Sequence, residues 1–261
     1  MKTVYKPTLK RALCLAVAVC SASLALSAQD GSTAYNFLNV TSSARIYGLG
    51  GVNISTVYDD VMIADQNPAL LGQEMSGQLG LNYMSYLGGS NFAGAAYARK
   101  VGDYGTWSAA IRYFGYGEMK GADESGNLTG SFSPKDMAIS GSYSHDFTDR
   151  IRGGFTVKFL YSNYEQYTAL ALATDLGVNY YNDESDLSVS AVVANLGGQI
   201  KRFDQRYDKL PVDIRLGLSK GLSTMPLTLS VTAWNLTKWK LPFYDAGDGT
   251  MDSKPVLKDK F

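Results

Sequence analysis

The chain has 261 residues, no formal net charge at pH 7, 45 % hydrophobic and 18 % charged residues, with 18 Tyr and 27 Gly. A disordered chain carries more charge and fewer aromatic residues, and a nucleic-acid-binding protein normally has a surplus of basic residues. With one His and two Cys the chain has few ligands for a zinc site, so we expect no metal and no other cofactor.

Residues 1–28 have the pattern of a secretory signal peptide. Four basic residues precede an uncharged apolar stretch from Ala12 to Leu26, and the polar chain begins at Asp30. The stretch is shorter than the roughly 20 residues that a membrane-spanning helix needs. Both cysteines, Cys14 and Cys20, lie in this segment, so its removal would leave a mature chain without disulfides. The sequence therefore predicts an exported protein.

Residues 29–76 show no strand-like alternation, and we predict that they form a separate N-terminal segment. Its glycine run at residues 48–51 lacks the Lys-Ser/Thr pair of a phosphate loop, so we expect these glycines to serve close backbone packing. Near its end lies Asn67-Pro68-Ala69. Taken alone, this tripeptide is either part of a folded segment or an ordinary turn before a strand, because Asn-Pro favours turns.

From residue 77 onward, apolar residues alternate with small or polar residues, which is the pattern of β-strands. The clearest case runs from Ile151 to Ser162, where odd positions are mostly apolar and even positions mostly small or polar. About nine such segments follow one another, most of them about ten to twelve residues long, whereas strands of soluble proteins average about 5–6. The sequence therefore predicts an all-β protein with strands long enough to cross an outer membrane.

The faces opposite the apolar ones carry small residues and isolated charges, as the interior of a membrane barrel would. Tyrosines gather near the predicted strand ends, which is typical of an aromatic girdle. A soluble β-sandwich alternates as well, but these features favour an antiparallel transmembrane outer-membrane β-barrel. The candidates for side chains that face the barrel interior are Arg112, Arg152, Lys158, Asp175, Asp213 and Arg215.

The predicted connections alternate between short and long, as in barrels with short periplasmic turns and longer outer loops. Nine strands are an odd number, whereas bacterial single-chain barrels close with an even number. We therefore expect the barrel, residues 77–261, to be truncated at its C-terminal end. The inner connections are predicted at 100–104, 147–150, 181–186 and 221–225, and the outer ones at 87–90, 117–134, 163–166, 195–211 and from 237 onward.

The run from Tyr35 to Leu71, which contains Asn67-Pro68-Ala69, resembles the N-terminal segment of FadL-type outer-membrane proteins. More narrowly, the chain is similar to the PorQ family of the type IX secretion system of Bacteroidota over about residues 30–240. The barrel part of this resemblance rests on Tyr113–Gly117, Asn195–Gly198 and Leu210-Pro211. It implies a FadL-like barrel of fourteen strands, of which about nine are present, with the N-terminal segment folded inside as a hatch.

The resemblance also implies a function and partners. The family is an outer-membrane component of an attachment complex with PorU and PorV, and it anchors the surface protein PorZ. That complex processes exported cargo and links it to lipopolysaccharide. A FadL-like outer-membrane transporter of hydrophobic compounds is the alternative with the same fold. Outer-membrane lipid and lipopolysaccharide are expected partners in either case, and nucleic acid is not.

We do not expect an enzyme. The only histidine, His145, stands between Ser144 and Asp146, which on paper suggests a catalytic triad. Neighbouring side chains in a strand point to opposite faces, so these three cannot converge on one substrate.

Overall fold

The structure, a computed structural model, describes residues 35–122, 128–165, 167–203, 207–222, 225–237, 243–244 and 251–252. The predicted signal peptide, residues 1–28, lies outside them. The described helices are all short. They are a five-residue α-helix, Ala44–Gly48, and 3₁₀ turns at Asn36–Asn39, Val61–Asp65, Pro68–Leu70, Gln73–Met75, Leu87–Gly89 and Asp183–Ser185.

Long antiparallel strands make up most of the described chain, as the alternation predicts. These strands are β1 (Leu79–Ser85), β2 (Asn91–Val101), β3 (Gly105–Gly115), β4 (Met119–Ala122), β5 (Leu128–Phe132), β6 (Lys135–Thr148), β7 (Ile151–Tyr164), β8 (Tyr167–Asn182), β9 (Leu187–Lys201), β10 (Asp213–Leu222) and β11 (Leu227–Ala233). Nine of them form one sheet in the order β1-β2-β3-β6-β7-β8-β9-β10-β11, while β4 and β5 form a separate hairpin.

Towards the C-terminal end, two short strands, β12 (Phe243–Tyr244) and β13 (Met251–Asp252), pair in antiparallel fashion and belong to a unit separate from the nine-stranded sheet.

Two predicted connections differ from the structure. The loop predicted at 117–134 contains the β4–β5 hairpin, and β9 continues to Lys201 although a connection was predicted from residue 195. The pairing of β8 with β9 shifts register twice, and Asn195 has a φ of 57° within the strand. These irregularities interrupt the alternation of side chains. The last part of β9 therefore cannot be recognised as a strand from the sequence pattern.

The described part of the N-terminal segment, residues 35–76, contains no strand and packs against one face of the sheet. We call residues 35–76 the hatch segment, the face beneath it the covered face, and the opposite face the exposed face. One apolar cluster joins Phe37 of the hatch segment to Phe92 and Leu160, and another joins Ile63 to Ala98. The hatch segment and the covered face together therefore form the core.

The glycine run of the hatch segment does not serve close packing, contrary to the prediction. A β-carbon on Gly48, Gly50 or Gly51 would meet no atom within 4 Å. Gly50 and Gly51 instead have φ values of 103° and 87°, and their amides donate to the carbonyls of Tyr47 and Ile46. They end the helix Ala44–Gly48 by supplying the positive φ that other residues adopt only with strain.

Candidate functional site

The exposed face of the sheet is a continuous apolar surface. Odd-numbered side chains of β7 lie on it, and Phe155, Val157 and Phe159 are 45 %, 47 % and 41 % exposed. The even-numbered neighbours Thr156 and Lys158 are buried on the covered face. The strand register extends this surface sideways in rungs of facing residues, of which one is Leu81, Ala95, Ile111, Ile139, Phe159 and Leu172.

Aromatic side chains border this surface towards both ends of the strands. At the loop end, one rung carries Tyr83, Tyr113 and Tyr161. At the short-turn end, the centre of the His145 ring lies 5.3 Å from the centre of the Phe147 ring. The rings of Tyr104 and Tyr143 also pack against His145. The face is therefore apolar in the middle and aromatic at both borders. Ser144 lies on the other face and donates to the carbonyl of Leu71 at 2.6 Å.

The covered face carries the charges that were predicted to face a barrel interior. Arg112 is buried and pairs with Asp65 of the hatch segment at 2.6 Å. Lys158 and Asp175, from the adjacent strands β7 and β8, pair at 2.6 Å and are both buried. Asn195 accepts from Lys158 at 3.0 Å, and its backbone amide donates to Asp175 at 2.7 Å. Each of these buried charges therefore has an opposite charge beside it, as burial demands.

The other three predicted residues also lie on the covered face. Asp213 accepts from Arg215 at 2.8 Å, and Arg215 donates to Gln66 of the hatch segment at 3.2 Å. Arg152, which is half-buried, pairs with Asp146 of β6 and lies 3.7 Å from Glu74. The structure thus brings all six predicted residues to one face, in separate groups.

Sequence reasoning missed the residues that complete these groups. Asp65 and Gln66 immediately precede the Asn67-Pro68-Ala69 motif, and Asn195 precedes a pair of glycines. Their position beside a recognisable motif was the only available signal. No alternation marks them, because the hatch segment has no strand and Asn195 lies where β9 is irregular.

Asn67-Pro68-Ala69 is seated on a pair of glycines in the covered face. Asn67 is fully buried, donates to the carbonyl of Ile54 at 2.8 Å and accepts from the amide of Ala69 at 2.9 Å. Gly154 of β7 and Gly177 of β8 face each other in register directly beneath the motif. Any side chain on either glycine would overlap the motif, so the pair forms a notch that accepts the hatch backbone.

A buried carboxylate lies under the loops at the other end of the covered face. Asp136 accepts hydrogen bonds from Tyr116 at 2.6 Å and from Tyr164 at 2.9 Å. The ring of Tyr116 packs 4.7 Å from that of Phe114. Burial, and then the Asp136 carboxylate, raise the pKa of Tyr116 above its ordinary value, so its hydroxyl is a donor at neutral pH. This cluster ties the base of the β4–β5 hairpin to β6 and β7.

The described residues include no helix with the length and hydropathy needed to cross a membrane. Within the same part of the chain, no three His, Cys, Asp or Glu side chains are grouped so that they could hold a metal ion. Comparison of the chain with protein-family models and with curated proteins gives no match.

Proposed function

We propose that the chain is an outer-membrane β-barrel protein that belongs to the type IX secretion system attachment complex and anchors the surface protein PorZ. The membrane part of the proposal rests on one observation, the inverted burial of the long strands. Arg112, Lys158 and Asp175 are buried, whereas Phe155, Val157 and Phe159 are exposed. Exposed apolar surface costs about 25 cal/mol per Å² in water and little in lipid.

The dimensions of the exposed face support the same proposal. Tyr161 is ten steps along β7 from Ile151, which at about 3.3 Å per residue corresponds to about 33 Å along the strand. A strand tilted by about 40° then spans about 25 Å of bilayer, the height of the apolar band in outer-membrane barrels. The backbone groups of an antiparallel strand bond to its neighbours, which a lipid environment requires.

The hatch segment favours an anchoring role over transport. An ion pair from Asp65 to Arg112 and a hydrogen bond between Gln66 and Arg215 hold it to the covered face, and Asn67 packs against Gly177. The cavity beside Arg112 and Lys158 has a volume of about 20 Å³, which is room for one water molecule and not for a hydrophobic compound. A cavity of about 250 Å³ lies at the short-turn end, between Leu70 of the hatch segment and Arg152. A hatch segment that is fastened to the sheet and leaves little space in the middle suits a rigid support for a surface protein.

The β4–β5 hairpin is a suitable surface for docking PorZ. Its strands pair with each other and not with the nine-stranded sheet. Its base is narrow, because the amide of Tyr116 donates to the carbonyl of Pro134 at 3.0 Å. The hairpin can therefore be replaced by a short linker while the sheet keeps all its partners. The identity of the partner rests on the resemblance to the PorQ family.

The proposal is tested by purifying the tagged protein from the outer membrane of its natural host and measuring how much PorZ accompanies it. We expect PorZ with the wild type, and much less with a variant in which residues 118–133 are replaced by a Gly-Ser linker. The control replaces Asp183 and Glu184, in a turn at the opposite end of the strands, by Ser. It should retain PorZ.

Two results would contradict the proposal. If the wild type fractionates away from the outer membrane, the membrane part is wrong. If it inserts there but never accompanies PorZ, while cells lacking it lose uptake of a hydrophobic compound, the transporter is the better interpretation. If the hairpin variant recovers as much PorZ as the wild type, PorZ docks on another loop.

A further inference from the structure

A row of polar side chains lies on the exposed face just beyond the tyrosine rung at the loop end. Lys135 of β6 stands opposite Asn163 of β7, which stands opposite Thr168 of β8. Lys201 of β9 donates from Nζ to Thr168 Oγ1 at 2.6 Å. Residues directly opposite each other in an antiparallel sheet point to the same face, so these side chains form one patch. We call Lys135, Asn163, Thr168 and Lys201 the loop-end patch.

The charge of the loop-end patch is not neutralised within the described residues. Neither Lys135 nor Lys201 forms an ion pair there, and both are exposed. Asp136, which follows Lys135 in the chain, lies on the covered face and accepts from Tyr116 and Tyr164, and Glu165 lies in the turn between β7 and β8.

At the opposite end of the strands, Arg150 and Arg152 are paired with acidic side chains. Arg99 and Lys100, which lie at that end too, also form no ion pair within the described residues, but as neighbours in β2 they point to opposite faces. Lys135 and Lys201 instead share the exposed face at the loop end.

The spacing of the patch suits a head group with more than one phosphate. Adjacent strands lie about 4.8 Å apart, so the α-carbons of Lys135 and Thr168, two strands apart, are about 10 Å from each other. Lys201 reaches Thr168, and lysine ammonium groups bind phosphate oxygens as point charges. The amide of Asn163 and the hydroxyl of Thr168 lie between the two lysines, where they can bond to sugar hydroxyls.

Apolar side chains continue below the patch in the direction of the proposed membrane. The next rung towards the middle of the sheet contains Met137 and Tyr161, and the rung after it contains Ile139 and Phe159. A molecule with phosphates at one end and acyl chains at the other would match this order. The geometry points to a glycolipid of the outer leaflet rather than to a soluble phosphate compound.

We infer that the loop-end patch binds the phosphorylated sugar head group of lipopolysaccharide, with the acyl chains lying along the apolar rungs of β6, β7 and β8. The inference rests on the proposed outer-membrane location. It adds a specific lipid site at the rim where the proposed anchor presents its partner.

The test measures how much lipid A binds to the purified protein in detergent, by native mass spectrometry. The variant Lys135→Gln/Lys201→Gln should bind lipid A about tenfold more weakly than the wild type, because it loses two charge-assisted contacts. The control Arg99→Gln/Lys100→Gln removes two positive charges from the opposite end and should bind as the wild type does. Lipid A without phosphates should bind as weakly as the double variant, and inorganic phosphate should not compete at equal concentration.

Separate results overturn this inference and the proposed function. Equal lipid A binding by the wild type and the patch variant overturns the site, and so does an equal loss with the control pair, which would indicate general attraction of charge. Efficient competition by inorganic phosphate overturns the glycolipid. Outer-membrane fractionation of the same variants is measured in parallel, and its failure in the wild type overturns the proposed function instead.

Discussion

The side-chain oxygen of Asn67 lies so close to Gly177 that a β-carbon on this glycine would overlap it. A β-carbon on the opposite glycine, Gly154, would overlap the backbone of Pro68. The hatch segment is thus seated in the sheet at a place where two strands have no side chains. This seat connects the motif of the hatch segment to the sequence of strands about a hundred residues later in the chain.

Replacing Gly154 by Ala should displace the hatch segment from the covered face of the sheet. The new β-carbon would lie 2.6 Å from the carbonyl carbon of Pro68, which is backbone and cannot turn aside. Overpacking of this kind costs about 1–3 kcal/mol in the free energy of unfolding. Chemical unfolding in detergent, followed by tryptophan fluorescence, measures the loss. Gly141→Ala, where a β-carbon meets nothing within 4 Å, should unfold as the wild type does. An unchanged midpoint for Gly154→Ala would show that the seat does not form.

Asn67→Ala should also destabilise the protein, through hydrogen bonds rather than overlap. It leaves the carbonyl of Ile54 and the amide of Ala69 without their partner in a fully buried site. An unsatisfied buried group costs about 1–3 kcal/mol. Limited proteolysis of the hatch segment in folded protein measures the effect. Gln73→Ala, in the same segment at the exposed short-turn end, is the matched control. Equal cleavage rates for both variants would argue against a special role for Asn67.

Lys158 and Asp175 should be strongly coupled. Lys158→Met or Asp175→Asn alone leaves one buried charge without its partner and should cost about 3–5 kcal/mol. The double variant removes both charges and should recover much of that loss. Arg150 and Glu184 form an exposed pair at 3.6 Å, so the same cycle there should give a coupling below about 1 kcal/mol. Additive losses at Lys158 and Asp175 would mean that the two charges do not meet.

Val157→Arg tests whether the exposed face meets lipid. An arginine at the middle of the bilayer costs about 2–4 kcal/mol in an outer-membrane barrel, so less protein should reach the membrane in assembled form. Val157→Leu should assemble normally because it keeps the side chain apolar. The assembled fraction is measured by the change in gel mobility on heating. Normal assembly of Val157→Arg would contradict the membrane proposal, since the position is 47 % exposed in the structure.

Tyr116→Phe should change how the free energy of unfolding depends on pH, because Tyr116 donates to the buried carboxylate of Asp136. At neutral pH the variant should be less stable, because Asp136 loses a hydrogen bond of 2.6 Å. Burial raises the pKa of Tyr116 above 10.0 in the folded protein, so the unfolded chain releases this proton first and stability falls above pH 10. Tyr116→Phe does not lose stability in this way. The difference in the free energy of unfolding between the wild type and the variant should therefore decrease between pH 7 and about pH 11.

Tyr113→Phe is the control for that measurement, because Tyr113 is on the exposed face, away from Asp136. It removes a tyrosine hydroxyl from the same strand end without touching the Asp136 cluster, so it gives the reference against which the Tyr116→Phe curve is read. A constant deficit for Tyr116→Phe over the same range would mean that the hydroxyl of Tyr116 is not held in a buried site.

The faces of the strands were predictable from the sequence. Residues 155–162 of β7 and 169–179 of β8 each alternate regularly, and the alternation within each strand assigned these side chains to the correct face. Backbone geometry imposes this period whatever the strand packs against. The antiparallel all-β prediction is confirmed for the same reason, whereas closure of the sheet into a barrel stays a prediction.

The sequence by itself determined that this protein has long alternating strands, an N-terminal segment without strands, and six charged residues on the polar side of the sheet. Only the tertiary structure decided how those charges are satisfied. Asp65 reaches Arg112 and Gln66 reaches Arg215 across more than forty residues of chain, and local pattern carries no information on such pairings. It also decided that Gly154 and Gly177 form one notch, because strand register brings together glycines that are 23 positions apart.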